Sequence, residues 1–298
     1  MEVNKGIAWH IFNVFNIIFM LFVSFIILFP YMNILAVSLN DNVQAVNIGF
    51  MIFPRSFTLM NFQSLLSDSA IIRAAFVTVG RLAVGVPYSV FIAFITAYVL
   101  SKRYLPGRKW IIFILLIPSY IGGGLIPTYI LFANLGLLNN PLVYILPAGF
   151  GFFGFILLRT YMYTIPESLE ESARIDGAGD YTIMFKIYFP LCIPIIATLI
   201  LFSAVGHWND WTTTLYFVPN NQWNTLAFEL QRILLEQGRI ARLVQEAIMR
   251  GEIPRTSPGT SQGIRNAQII VTTLPIVLVY PFLQKYFLKG LLIGGVKE

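Results

Sequence analysis

Five of the chain's fourteen acidic residues crowd into fourteen positions: Glu167, Glu170, Glu171, Asp176 and Asp180. Gly177 and Gly179 mark the same stretch, and Pro190 follows it. Carboxylates at this density could serve acid–base chemistry, hold a metal or dock a partner. The first two uses need company that the sequence lacks. The only histidines are His10 and His207, and no Ser/His/Asp array or metal-ligand spacing occurs. No G-x-x-x-x-G-K-[ST] loop is present, so the chain does not bind ATP by that route. Cys192 is a lone cysteine, which excludes a disulfide framework and makes no metal site. The expectation is a non-catalytic chain with no metal or cofactor of its own.

The surroundings of the acidic block are apolar. The 298 residues are 57% hydrophobic and 11% charged, with a mean hydropathy of +0.73. Apolar runs of about 18 residues or more read as membrane spans. Six are expected, at 12–37, 72–100, 110–132, 142–158, 189–205 and 267–288, within one domain covering 1–298. Runs this continuous are helices, because barrel strands would be about ten residues long with alternating polarity. The fold class is therefore an all-α integral membrane protein. The first run is too long for a signal-peptide core and reads as a retained span. The net charge of +6 calls for no nucleic acid, since membrane proteins carry Lys and Arg on cytoplasmic loops.

That bias sets the orientation. "SKRYLPGRKW" carries Lys102, Arg103, Arg108 and Lys109 with no acid, which places it in the cytoplasm. With six spans both termini are then cytoplasmic, in keeping with Lys5, Lys285, Lys289 and Lys297. The loop 163–188, which holds the acidic block, is cytoplasmic as well. The segment 208–265 is outside despite its arginines, because long loops translocate largely regardless of charge. Within it Leu226, Leu230, Ile233, Leu234, Ala241, Val244 and Ile248 recur at helical spacing. One or two amphipathic helices are expected, weakened at Gly238, with "IPRTSPGTSQG" as a turn-rich connector. They either lie on the membrane mouth or present a docking surface.

The acidic block itself reads as a short helix. Ser168 with Glu171 makes a capping box, and Pro166 suits the start. Glu170 and Arg174 form an i,i+4 pair of favourable polarity. Gly177 is placed to stop the helix. Leu169, Ala173 and Gly177 give a stripe that becomes small toward its end. Such a helix is either a handle that moves two spans or a cap on the bundle.

Other polar or irregular features lie in the spans. Pro118, Gly122, Gly123, Gly124 and Pro127 break the third. Irregular backbone at membrane depth lines protein or a water-filled cavity. Gly123 and Gly124 are thus candidates for a substrate path, against ordinary bundle packing. Arg81 in the second span is either functional or paired to a neighbouring helix. "HWNDW" brings Trp208, Asn209 and Trp211 to the outer end of span five. These either anchor the interface or line a vestibule where rings and amides suit a sugar. Tyr120, Tyr129 and Asn134 are similar candidates.

One pattern in the acidic loop resembles a known family. Permease subunits of ABC importers carry Glu-Ala-Ala, three residues, Gly, nine residues, Ile, any residue, Leu-Pro in a cytoplasmic loop. This chain has Glu171-Ser172-Ala173, Gly177 and Ile187-Tyr188-Phe189-Pro190 at that spacing, departing at Ser172 and Phe189. "YVLSKRYLPGRKW", "GGGLIPTYILFANLGLLNN", "ILLRTYMYTIPESLEESARIDGAG", "GHWNDW" and "YFLKGLLIGGVKE" resemble the carbohydrate-uptake type, related to the inner permease of maltose transporters. The resemblance implies the type I importer permease fold, with a cytoplasmic coupling helix between spans four and five and an extracytoplasmic amphipathic segment between five and six. It implies that Glu170, Glu171, Ser172, Ala173, Asp176 and Gly177, with Ile187 and Pro190, couple to an ATPase subunit. That partner would bind ATP and Mg. It also implies a second related permease in a heterodimer, two ATP-binding subunits, an extracytoplasmic solute-binding protein and a bacterial plasma-membrane location. The substrate would be an oligosaccharide or sugar derivative. The alternative is a stand-alone secondary transporter, which would want an inverted repeat and midplane ionisable groups.

Overall fold

A computed structural model describes residues 7–41, 51–250 and 259–295. Lys5, Lys297 and connector residues 251–258 lie outside the described residues, as do the side chains of Ala241, Val244, Ile248, Lys285 and Lys289. Among the described residues the regular elements are helical, with one isolated antiparallel bridge between Asn40 and Phe57. Helices close their backbone hydrogen bonds internally, which is what an apolar environment demands.

The chain divides into two compact units, Met1–Ser69 with Arg232–Thr273, and Ala70–Gln231 with Leu274–Glu298. In the first, α1 (Ile7–Ser38) is apolar and exposed along most of its length. Its end is tied to α2 (Met60–Ser67) by buried Asn61, whose Nδ2 donates to the carbonyls of Ser38 (2.9 Å) and Asn40 (3.1 Å). Asn40 Oδ1 in turn accepts from the Ser56 amide at 2.8 Å.

The second unit holds most of the remaining elements. They are α3 (Ser69–Ser101), α4 (Arg108–Tyr120), α5 (Leu125–Asn134), α6 (Phe152–Met162), α7 (Glu167–Ile175), α8 (Asp180–Ile183), α9 (Phe189–Leu191), α10 (Ile193–Asn209) and α11 (Thr212–Phe217). A π turn, Met184–Tyr188, joins α8 to α9. The core packs α3, α6 and α10 through Phe94, Ala97, Phe155, Leu158, Ile196 and Leu199. A smaller cluster gathers Phe132, Leu137, Val143, Tyr144, Phe217 and Val218. Finally, α12 (Leu226–Met249) and α13 (Gly259–Gly295) each run through both units.

Among the described residues three helices are long and apolar enough to cross a membrane: Trp9–Ser38, Ser69–Ser101 and Gln262–Val279. Two bent pairs have the same character. α4 and α5 meet at 112°, and Asp180–Leu191 meets α10 at 77°. The first bend falls on Ile121–Gly124, so the glycine triplet breaks the run expected at 110–132.

Two expectations need correction. The run at 142–158 is not one helix. Pro141–Tyr144 is a 3-10 turn whose cap Asn140 accepts from the Leu142 amide at 3.0 Å, and α6 starts only at Phe152. Pro147, Gly149 and Gly151 separate the two pieces, and each disfavours helix. Gly238, by contrast, does not divide α12, which continues to Met249. A single glycine costs only about 1 kcal/mol there.

Candidate functional site

Two polar clusters stand out in the second unit, and both involve α3. Arg81 and Lys102 are twenty-one residues apart. At about 1.5 Å per helical residue that is roughly 30 Å, close to the thickness of a bilayer's hydrocarbon. Lys102 directly follows the end of α3, whereas Arg81 lies within the helix.

At the Lys102 end sits α7. It begins directly after Pro166, which occupies the N-cap with φ −58° and ψ 130°. Ser168 lies inside the first turn and no side chain caps the helix, so the expected capping box does not form. Proline's fixed φ starts the helix two residues early. Glu167 and Glu170 instead meet the helix dipole at the first turn. The exit follows the Schellman pattern. Gly177 has φ +82°, its amide donates to the Arg174 carbonyl at 3.0 Å, and the Ala178 amide donates to the Ala173 carbonyl at 2.9 Å.

The acids of α7 divide between two environments. Glu170 points inward. Its Oε2 accepts from Lys102 Nζ at 2.5 Å and from the Tyr188 hydroxyl at 2.9 Å. Its Oε1 accepts from Arg174 Nη2 at 3.0 Å, and the same Nη2 reaches Asp180 Oδ1 at 2.5 Å. Burial alone would raise the Glu170 carboxyl, but the hydrogen bonds from Lys102, Arg174 and Tyr188 hold it below its ordinary value. Burial pulls the Lys102 ammonium below its usual range, and Glu170 only partly opposes this. Glu171, Ser172 and Asp176 are exposed, whereas Ala173 is half-buried on the core. Ile187 also packs on the core, and Pro190 is exposed within α9. Glu167 pairs with Arg103 at 3.2 Å, but both side chains are mostly exposed, so the pair contributes little.

Three residues here were missed from sequence. Lys102 reads as one of four loop charges, yet it is 7% exposed. Ile175 and Tyr181 are 86% and 81% exposed. An apolar residue off the Leu169, Ala173 and Gly177 stripe was the available signal for Ile175.

Within α3 Arg81 is paired. Its Nε donates to His207 Nδ1 at 3.0 Å, Nη1 to the Asp210 carbonyl at 3.2 Å and Nη2 to Asp210 Oδ2 at 2.5 Å. The guanidinium lies 4.7 Å from the Tyr144 ring centroid. The Tyr144 hydroxyl donates to the Trp223 carbonyl at 2.8 Å. "HWNDW" is therefore split in role. His207 and Asp210 face α3, Trp208 and Trp211 are half-buried, and Asn209 is exposed. Gly123 and Gly124 are exposed at the bend between α4 and α5. Tyr129 stacks on Phe217 of α11 at 6.2 Å, six residues beyond Trp211.

Residues 69–293 match the family described as binding-protein-dependent transport system inner membrane component. The chain is 35% identical over 290 residues to protein LplC of Bacillus subtilis (strain 168), covering 97% of this chain and 96% of that one. It is 36% identical over 280 residues to the polygalacturonan/rhamnogalacturonan transport system permease protein YtcP of the same strain, covering 94% and 96%. Its fold resembles a chain of a bacterial ABC transporter involved in the import of the acidic polysaccharide alginate. There the TM-score is 0.82 at 26% identity, covering 95% and 98%.

Proposed function

The chain belongs to the binding-protein-dependent transport system inner membrane components, and from that premise we propose that it is a permease subunit of an ATP-driven importer for a carbohydrate. It forms half of the translocation path for an oligosaccharide delivered by a solute-binding protein. A related permease supplies the other half, and two ATP-binding subunits supply the energy. The chain itself is a non-catalytic membrane component. ATP and Mg belong to the ATP-binding subunits.

The observation that carries the reading is α7. It is short, rigidly stopped at Gly177, and exposes Glu171, Asp176 and Ile175. This is a coupling helix for the ATPase, with Ser172, Ala173, Ile187 and Pro190 holding its frame. Three long helices, two bent pairs and the short apolar α6 support six crossings. The basic loop after α3 then puts α7 and both termini in the cytoplasm of a bacterial cell. The substrate path runs past Gly123, Gly124 and Tyr129 toward Trp208, Asn209 and Trp211.

Reconstitution tests this. The assembled complex is offered binding protein loaded with oligogalacturonates or with neutral oligosaccharides, and ATP hydrolysis and uptake are measured. One sugar class is expected to stimulate both. Transport by this chain alone in liposomes would overturn the reading.

A further inference from the structure

We propose that Lys102 is a positioning residue that makes α3 move together with α7. The inference rests on α7 being the ATPase contact and adds how its displacement enters the membrane. Lys102 is held on several sides. Its ammonium lies 4.0 Å from the Tyr98 ring centroid and 4.2 Å from that of Tyr188. The two rings pack edge to face at 5.1 Å. Tyr98 stands one turn before Lys102 on the last turn of α3, while Tyr188 comes from the π turn.

The third wall is Glu170, and the contacts close into a ring. The Tyr188 hydroxyl shares Glu170 Oε2 with Lys102. The Tyr98 hydroxyl donates to the Asp180 carbonyl at 3.2 Å. Arg174 spans Glu170 and Asp180. The end of α3 thus meets α7 and the π turn on one ammonium.

A pair this buried resists separation, because removing either partner strands a charge. Exposed pairs have no such stiffness. Transmission needs an element whose contacts differ between two states of the motor. If α7 slid against α3, the motion would be lost in the loop. The clasp prevents that sliding. α7 therefore offers Glu171 and Asp176 outward and grips α3 with Glu170.

The test uses the assembled importer with spin labels at Val99→Cys on α3 and Leu169→Cys on α7, both 44% exposed. The distance distribution is read without nucleotide and after trapping with ATP and vanadate. The parent should show one peak at the same distance in both states. Lys102→Met should lose the single peak in the trapped state while ATP hydrolysis continues, and transport per ATP should fall roughly tenfold, a usual size for coupling between sites. A parent peak that shifts between states overturns the proposal, as does an unchanged peak in Lys102→Met. If Lys102→Met fails to assemble, Lys102→Met/Glu170→Met must restore assembly. Failure of that double variant also overturns it. Glu171→Arg separates the two readings. If it leaves the ATP-binding subunits attached, the coupling role of α7 fails. If it strips them while Lys102→Met keeps one peak, only the Lys102 proposal fails.

Discussion

Glu170 and Glu171 are neighbours in the chain whose carboxylates serve different surroundings. The first is enclosed by Lys102, Arg174 and Tyr188, with its side chain 14% exposed. The second is exposed. Their substitutions should therefore separate. Glu170→Ala should lower stability by about 3–5 kcal/mol, since it leaves Lys102 buried without its carboxylate. Glu171→Arg should leave the thermal unfolding midpoint nearly unchanged and release the ATP-binding subunits. Thermal unfolding in detergent and co-purification read the two effects.

The Glu170 contact should also fail in acid. Its carboxyl is held below the ordinary value in the folded chain. A depressed carboxyl adds stability that is complete above the unfolded value and is lost as pH falls past it. Protection of α7 amides from hydrogen exchange should thus persist at neutral pH and drop below about 4.3, the ordinary glutamate value. Glu170→Gln should flatten that dependence.

Gly177→Ala should loosen the end of α7. At φ +82° a Cβ costs about 1–2 kcal/mol. Gly177→Asn should cost less, since asparagine tolerates that region. Amide exchange at Gly177 and Ala178, whose donors close the cap, reports it.

Arg81 and Asp210 should behave as one unit. Arg81→Met and Asp210→Asn each break the same buried contact, so the double variant should cost less than their sum by about 0.5–3 kcal/mol. Thermal unfolding of the four chains completes the cycle.

How much of this could be read from sequence depended on range. The Glu170–Arg174 pair and the stop at Gly177 are local, and both stand in the structure. The break at Gly122–Gly124 is local too. Which glutamate faces inward was not legible, because Lys102 arrives from 68 residues away. Arg81 faced the same limit, since its partners lie more than 120 residues on. Ser168 misled because capping boxes and proline starts compete for the same turn, and Pro166 takes it. The run at 142–158 misled because hydropathy does not register the helix breakers within it.

The seam between α3 and α10 has a mechanical consequence. An added Cβ at Gly85 would sit 3.0 Å from the His207 ring. One turn away on either side, Arg81 holds His207 and Ser89 meets Ser203 at 2.8 Å. The imidazole thus rests on bare backbone, with no side chain as a spacer. A side chain at Gly85 would therefore press on the His207 ring and force the contact between α3 and α10 to give.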